Sequence, residues 1–245
     1  EDIELIALVT MAEAEGGMEE GLNATSQILK VRGRVVPSTL TDIQLQAEMT
    51  DGTIVSGESK IPEARKRIKK MLMCPENAPA TSGAVEAILK ADVLIFGPGS
   101  LYTSVIPNLL VKEIREAVVK SEAVKIYVCN VMTQPGETDG YGAFEHVKAL
   151  LDHVGEQFLD YVIVNDEKIS AEQLKQYFAE GAMPVTPDVD KIRRLGITVV
   201  PASLISKKNL VRHEPKKLSR VLITLIYRLR LFGKGVQFFD YIFMR

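Results

Sequence analysis

Residues 91–111 read ADVLIFGPGSLYTSVIPNLLV. An apolar run, Val93 to Phe96, stops at Gly97-Pro98-Gly99-Ser100, continues as Leu101-Tyr102-Thr103-Ser104 and turns apolar again after Pro107-Asn108. Two glycines and three hydroxyl side chains placed at the end of a strand suit a turn that meets a guest. Glycine lets backbone approach a ligand closely, and successive amides in a tight turn form a nest for an anion. Ser100, Thr103 and Ser104 add neutral donors, and a helix starting near Pro107-Asn108 would point its positive end at the same place. Phosphate fits this chemistry; the alternative is an ordinary strand-to-helix turn with hydroxyl caps. Two familiar phosphate motifs do not fit. There is no Gly-Lys-Ser/Thr, and Tyr102 stands where the dinucleotide fingerprint has its third glycine.

Outward from this turn the pattern repeats. A helix at 83–90 leads into a strand at 92–96, a helix at about 108–120 into one at 125–129, and a helix at 143–154 into one at 160–164. A weaker helix at 170–179, a proline-flanked strand near Val185, a helix at 188–195 and a strand at 197–200 follow. These strands are continuous apolar runs, the mark of strands covered on both faces in a parallel sheet. In open α/β sheets ligands bind beyond the carboxyl ends of the strands. If the strands are neighbours, the segment from Asn130 through Thr133, Gln134 and Glu137 to Thr138, and then Asn165-Asp166, converge on the crevice of the first turn.

Upstream the periodicity is different. Helical spacing at 3–14 and 18–31 is broken at Gly16-Gly17. Ile43, Leu45, Ala47 and Met49 then alternate, and Asp51-Gly52 before another strand run is a hairpin signal. RIKKMLM (67–73) reads as a third strand of the same small sheet, and Pro75, Pro79 and Gly83 lead out of it. The expected fold is α/β: a Rossmann-like, mostly parallel sheet with helices on both faces, plus a small β-hairpin subdomain. It forms one domain over 1–232, with 38–75 as the hairpin insertion and 80–205 as the Rossmann-like core. The last helix is expected at 216–230, and the tail at 233–245 has no structure that the sequence dictates.

The chain has 245 residues, 46% hydrophobic and 25% charged, an ordinary globular composition large enough to bury a core without staples. Lys and Arg total 30 against 32 Asp and Glu, for a net charge of -2. That balance gives no footprint for nucleic acid. Cys74 and Cys129 make neither a disulfide framework nor zinc spacing, so a cytoplasmic location is expected. The acidic opening, EDIELIALVTMAEAEGG, lacks the basic region of a signal peptide. Because it begins inside an apolar helical pattern, upstream residues are expected to be missing. At the other end Arg228, Arg230, Lys234 and Asp240 interrupt the apolar residues before they reach the roughly 18 that a membrane span needs.

Other chemistry-bearing residues carry less. His146 and His153, seven apart on one helix, read as a solvated face, with no third ligand for a metal. Cys129 reads as packed, and EARKRIKK (63–70) as a solvated basic face. Glu137 could serve as acid, base or hydroxyl acceptor. Arg212, before His213, is of the type that grips phosphate in a bidentate manner. No catalytic residue can be named.

Three stretches, GPGSLYTSVIPNLLV (97–111), VCNVMTQPGETDGY (128–141) and VRHEPKKL (211–218), resemble in this order the gluconeogenesis-factor branch of the 2-phospho-L-lactate transferase superfamily, the CofD/YvcK-like proteins. ILKVRGRVVPSTL and DGTIVSGESKI look like the same family, and the similarity runs over about residues 5–222. The resemblance implies a Rossmann-like fold, a cytoplasmic location and binding of a nucleotide sugar, a UDP-sugar in particular. It also implies a role in growth on gluconeogenic carbon sources and in cell shape or wall synthesis. Carried onto this sequence, the ligand crevice takes Gly97, Pro98, Gly99, Ser100, Leu101, Tyr102, Thr103, Ser104 and Asn108 from the first turn. Asn130, Thr133, Gln134 and Glu137 come from the second, and Arg212 lies near the nucleotide phosphates. The alternatives are a phosphotransferase that joins a phospholactyl nucleotide to a deazaflavin, which would bring Mg2+, and an inactive fragment. The transferase branch lacks the Leu-Tyr-Thr-Ser and Pro-Asn-Leu-Leu pattern seen here. The strand and glycine-rich phosphate loop with which family members begin are absent, and Pro215 stands where relatives can carry a phosphorylatable threonine. The expected partner is a nucleotide sugar or another phosphorylated small molecule, with a homodimer also compatible. No nucleic acid, membrane span or certain cofactor is expected.

Overall fold

The computed structural model describes residues 35–206 and 211–232, together with Gly21 and Gly33. The helices expected at 3–14 and 18–31 and the tail at 233–245 lie outside the described residues.

The alternating segment forms a three-stranded antiparallel sheet of β1 (Gln44–Met49), β2 (Ile54–Ser56) and β3 (Ile68–Cys74), in the order β2-β1-β3. The alternation decides which face is buried: Leu45, Ala47 and Met49 turn inward from β1, and Ile68, Met71 and Met73 from β3. Asp51 shapes the hairpin by accepting from the Thr53 amide at 3.0 Å and the Thr53 hydroxyl at 2.6 Å. The basic run beside it is exposed as expected. Lys66 pairs with Asp51 at 2.8 Å and Lys69 with Glu48 at 2.6 Å.

A one-turn helix, α1 (Lys60–Glu63), joins β2 to β3, and α2 (Ser82–Lys90) opens the second half. Thr81 caps α2 by accepting from the Ala84 amide at 3.3 Å while its hydroxyl donates to the Pro37 carbonyl. The second sheet holds β4 (Val93–Phe96), β5 (Val124–Val128), β6 (Tyr161–Asn165) and β7 (Thr198–Ala202) in that order, every pair parallel. Parallel neighbours need crossovers. They are supplied by α3 (Ile106–Leu110) and α4 (Lys112–Lys120), then α5 (Ala143–Val154), then α6 (Ala171–Glu180) and α7 (Val189–Arg193). A final helix, α8, spans Pro215–Phe232.

The two faces of this sheet bury different helices. Leu94, Phe96, Tyr127, Val162 and Val199 point to one side and meet Ile88 of α2, Leu109 of α3, Ile114 and Val118 of α4, and Val147 and Leu150 of α5. Val124, Ile126, Val128, Tyr161, Ile163 and Val200 point to the other and meet α8, which presents Val221, Leu225 and Leu229, one turn apart each. Each such aliphatic side chain contributes about 1.5–3 kcal/mol of burial. All of β5 is buried, Lys125 included, whose ammonium donates to the carbonyls of Ser121 and Ala123. Among the described residues no helix is long and apolar enough to cross a membrane.

Two elements differ from the sequence reading. The helix expected from about 108 starts at Leu101, as a π-helical turn (Leu101–Val105) that continues into α3 and breaks at Val111 before α4. Burial of Leu101, Tyr102 and Val105 overrides the loop-like composition of this stretch. The strand expected near Val185 is reduced to a bridge between Met132 and Pro184, because Pro184 has no amide with which to extend a ladder.

Candidate functional site

The turns leaving β4 and β5 lie side by side, because these strands are parallel neighbours whose carboxyl ends share one edge of the sheet. The Asn130 side-chain amide donates to the Gly99 carbonyl at 2.9 Å, and the Ser100 hydroxyl donates to Gln134 Oε1 at 2.7 Å. The Thr103 hydroxyl donates to Glu137 Oε1 at 3.1 Å, and Gln134 Nε2 donates to the same oxygen. Thr138 Oγ1 accepts the Gln134 amide at 2.8 Å, and Thr133 exchanges hydrogen bonds with Met183 on the far side of the second turn.

Two glycines make this juxtaposition sterically achievable. Gly97 has φ of 75°, and a Cβ there would stand 3.0 Å from the Val128 carbonyl. Gly136 has φ of 83°, and a Cβ there would lie 1.9 Å from the carbonyl oxygen of Pro62 in α1. Only glycine adopts this conformation without cost and lets two backbones come so close.

Glu137 is 3% exposed, and its Oε2 makes no hydrogen bond, as does Asn130 Oδ1. Burial pushes the Glu137 carboxyl up from the ordinary carboxylate range, against the opposing pull of the Thr103 hydroxyl and the nearby amides of Tyr102 and Thr103. The two turns thus hold two buried acceptor oxygens that lack donors. A hydroxyl or amide of a ligand, or a proton, is what such oxygens can take.

The other side of the first turn is open. A cleft of about 560 Å³ runs along the edge strand β4. Val36, Ile88, Leu94 and Ile95 wall it, and Gly97, Pro98, Gly99, Ser104 and Asn108 form its polar end. Asn108 is anchored there: its amide donates to the Ser104 carbonyl at 2.8 Å, and its oxygen accepts from the Ser38 hydroxyl at 2.6 Å. Apolar walls with a few polar groups at one end are the usual make-up of a small-molecule site.

The remaining candidates fall elsewhere. Leu101 and Tyr102 are buried, and the Tyr102 hydroxyl meets that of Tyr141 at 2.8 Å. Arg212 is exposed. Its neighbour His213 holds the Cys129 carbonyl at 3.2 Å, which seats the 211–214 segment against the second turn. Asn165 is used up locally, its amide on the Glu167 carbonyl at 2.9 Å and its oxygen on the Leu204 amide at 3.1 Å. Cys129 is packed as expected, and burial beside Tyr127 pushes its thiol up to about 12, which leaves no thiolate for nucleophilic work. The histidine face is a correction. His146 is fully buried and His153 half-buried, because α5 is sandwiched between the parallel sheet and the small one. Among the described residues no group of three or more His, Cys, Asp or Glu could hold a metal ion.

Sequence reasoning missed one cluster altogether. Lys217, at the start of α8, donates to Glu167 Oε2 and to the Ile205 carbonyl, each at 2.9 Å, and the Ser203 hydroxyl donates to the same carboxylate. The only hint was Lys217's place within the VRHEPKKL stretch.

Compared with known proteins, residues 5–205 match the family described as 2-phospho-L-lactate transferase CofD. The chain is 42% identical over 222 residues to the gluconeogenesis factor of Bacillus subtilis, which covers 90% of this chain and 70% of the relative. It is 45% identical over 219 residues to a putative gluconeogenesis factor of Nostoc, covering 88% of this chain and 48% of the relative. The crystal structure of a upf0052 family member from Bacillus halodurans superposes with a TM-score of 0.85 at 42% identity, over 89% of this chain and 70% of that one.

Proposed function

Because the chain belongs to the 2-phospho-L-lactate transferase CofD family, we propose that it is a gluconeogenesis factor that binds a nucleotide sugar, a UDP-sugar in the first instance. In this reading it serves growth on gluconeogenic carbon sources and the upkeep of cell shape and wall synthesis, from the cytoplasm. The observation that carries the reading is the pairing of the two turns beside the β4 cleft, with Ser100 on Gln134 at 2.7 Å and Asn130 on Gly99 at 2.9 Å. Base and ribose fit the apolar cleft, and the amides of Gly97 to Gly99 with Ser104 and Asn108 receive the diphosphate. Sugar hydroxyls turn toward the donor-less oxygens of Asn130 and Glu137. Arg212, exposed beside the second turn, supplies the cation for the phosphates. One α/β domain over 1–232, with 38–75 inserted into a Rossmann-like core, is part of the same proposal.

Calorimetric titration of UDP-sugars tests it, on this chain and on one extended to the length of the Bacillus subtilis relative. Binding is expected, and Arg212→Ala weakens it by about 1.5–3 kcal/mol, the worth of a hydrogen bond to a charged group. No heat from either chain would sink the reading. The buried Glu137, with its raised carboxyl, favours a transferase as the second reading, since a carboxyl held between the two paired turns could move a proton. Product formed from a nucleotide-linked donor with magnesium, and lost in Glu137→Gln, would decide for it.

A further inference from the structure

His153 on α5 uses both ring nitrogens. Nδ1 lies 2.6 Å from the Ala149 carbonyl, and the Met71 amide lies 2.9 Å from Nε2. A carbonyl only accepts, so Nδ1 carries the hydrogen; an amide only donates, so Nε2 carries the lone pair. The geometry therefore requires the neutral ring. A proton on Nε2 would set N–H against N–H and turn this hydrogen bond into a repulsive contact. Among the described residues Met71 lies in β3, the edge strand of the small sheet on this side, and His153 supplies the acceptor for an edge amide that no described strand pairs. The Tyr102 ring stands edge-on to the His153 ring at 6.0 Å, so the same imidazole braces the π-helical turn that follows Ser100 and carries Thr103.

We propose that His153 is a proton-operated clasp: neutral, it fastens the small antiparallel sheet to α5 and braces Tyr102; protonated, it releases the Met71 amide and loosens both.

The surroundings are consistent with this. Arg67 and Lys69 from the β3 side, Glu145, Lys148 and Asp152 from α5, and Tyr102 and Tyr141 line one pocket with His153, and the charge of Lys70 also reaches the ring. Much of this charge is already paired, Lys148 with Asp152 and Lys69 with Glu48, each at 2.6 Å, while Arg67 sits over the Tyr141 ring. Burial is the largest influence and favours the neutral ring, with the Ala149 carbonyl and Asp152 opposing and Lys70 acting in the same sense as burial. The folded ring thus binds a proton less readily than a free histidine, whose value is about 6.5. The clasp is closed at neutral pH, and its contribution is lost as pH falls below about 6.5. His146 offers a contrast: its Nδ1 holds the Gly142 carbonyl at 2.8 Å in the same way, but its Nε2 has no partner, so a proton there breaks no bond.

Hydrogen exchange of single amides by NMR tests this on the whole 245-residue chain. Between pH 7.5 and 5.0, after correction for intrinsic exchange, protection of the Met71 amide is expected to fall about tenfold or more while that of Ile126 in β5 stays within about twofold, as for local opening. His153→Gln can accept from Met71 and donate to Ala149 but does not titrate, and is expected to hold Met71 protection at both pH values. Unchanged Met71 protection in the wild type, an equal fall at Ile126, or the same fall in His153→Gln would each overturn the proposal. The nitrogen shifts of the His153 ring in the wild type give a second measure that needs no variant. They must titrate with the midpoint of the Met71 loss, and a ring still neutral when Met71 has opened refutes the clasp.

Discussion

On one side of the turn that leaves β4 lies an open cleft walled by Val36, Ile88, Leu94 and Ile95; on the other, Ser100, Thr103, Gln134 and Glu137 bond to one another in a closed polar network. The same eight residues, Gly97 to Ser104, serve both. Their glycines and Ser104 face the cleft, while Ser100 and Thr103 face the network. The network spends its donors internally and leaves two acceptor oxygens over, so it fixes geometry and offers a guest little besides lone pairs. The cleft has the apolar area and the room but few polar groups. Rigidity and accessibility are thus properties of opposite sides of one turn.

The sharpest way to break this contrast is at Gly136. Gly136→Ala drives a methyl into the Pro62 carbonyl at a positive φ, and should cost about 4 kcal/mol or prevent folding, read by urea denaturation. A near-normal midpoint would mean the second turn is not held where it stands. Next is Glu137→Ala, which strips the acceptor from Thr103 and Gln134 and should cost about 2–3 kcal/mol; combined with Thr103→Ala, the losses should fall short of additive. Glu137→Gln should act in the opposite sense. The wild-type carboxyl is raised on folding, so the folded state binds its proton more tightly, and the penalty for ionising it grows as pH rises above about 4.5. The Gln variant escapes that penalty and should gain on the wild type between pH 4.5 and 7; a parallel pair of stability curves would contradict the burial argument. The smallest effect belongs to the cleft. Ile95 is 45% exposed, so Ile95→Ser should shift stability by no more than about 0.5 kcal/mol, yet weaken UDP-sugar binding if the cleft takes the base.

The sequence was most readable where periodicity is simple. The alternation at Leu45, Ala47 and Met49 and the Asp51-Gly52 turn located the hairpin, and the run Lys125 to Cys129, apolar after its first residue, announced a strand covered on both faces. Composition misled where tertiary burial decides. Leu101 to Val105 reads as loop because of Tyr-Thr-Ser between two turns, but its apolar positions reach the core and draw it into a helical turn. The histidines failed for a related reason. Seven-residue spacing tells that His146 and His153 share a face of α5, not that a second sheet lies over that face. In the site, the adjacency of the two turns followed from strand order. That their hydroxyls and amides would satisfy one another depended on side-chain directions, which no spacing in the chain encodes.

Among the described residues α8 is the helix that roofs the second face of the parallel sheet, and it follows every strand in chain order. During synthesis Ile126, Ile163 and Val200 therefore receive the cover of α8 only once residues 215–232 have cleared the ribosome. Without that roof, these side chains make an oily plane of the kind that holdase chaperones seize.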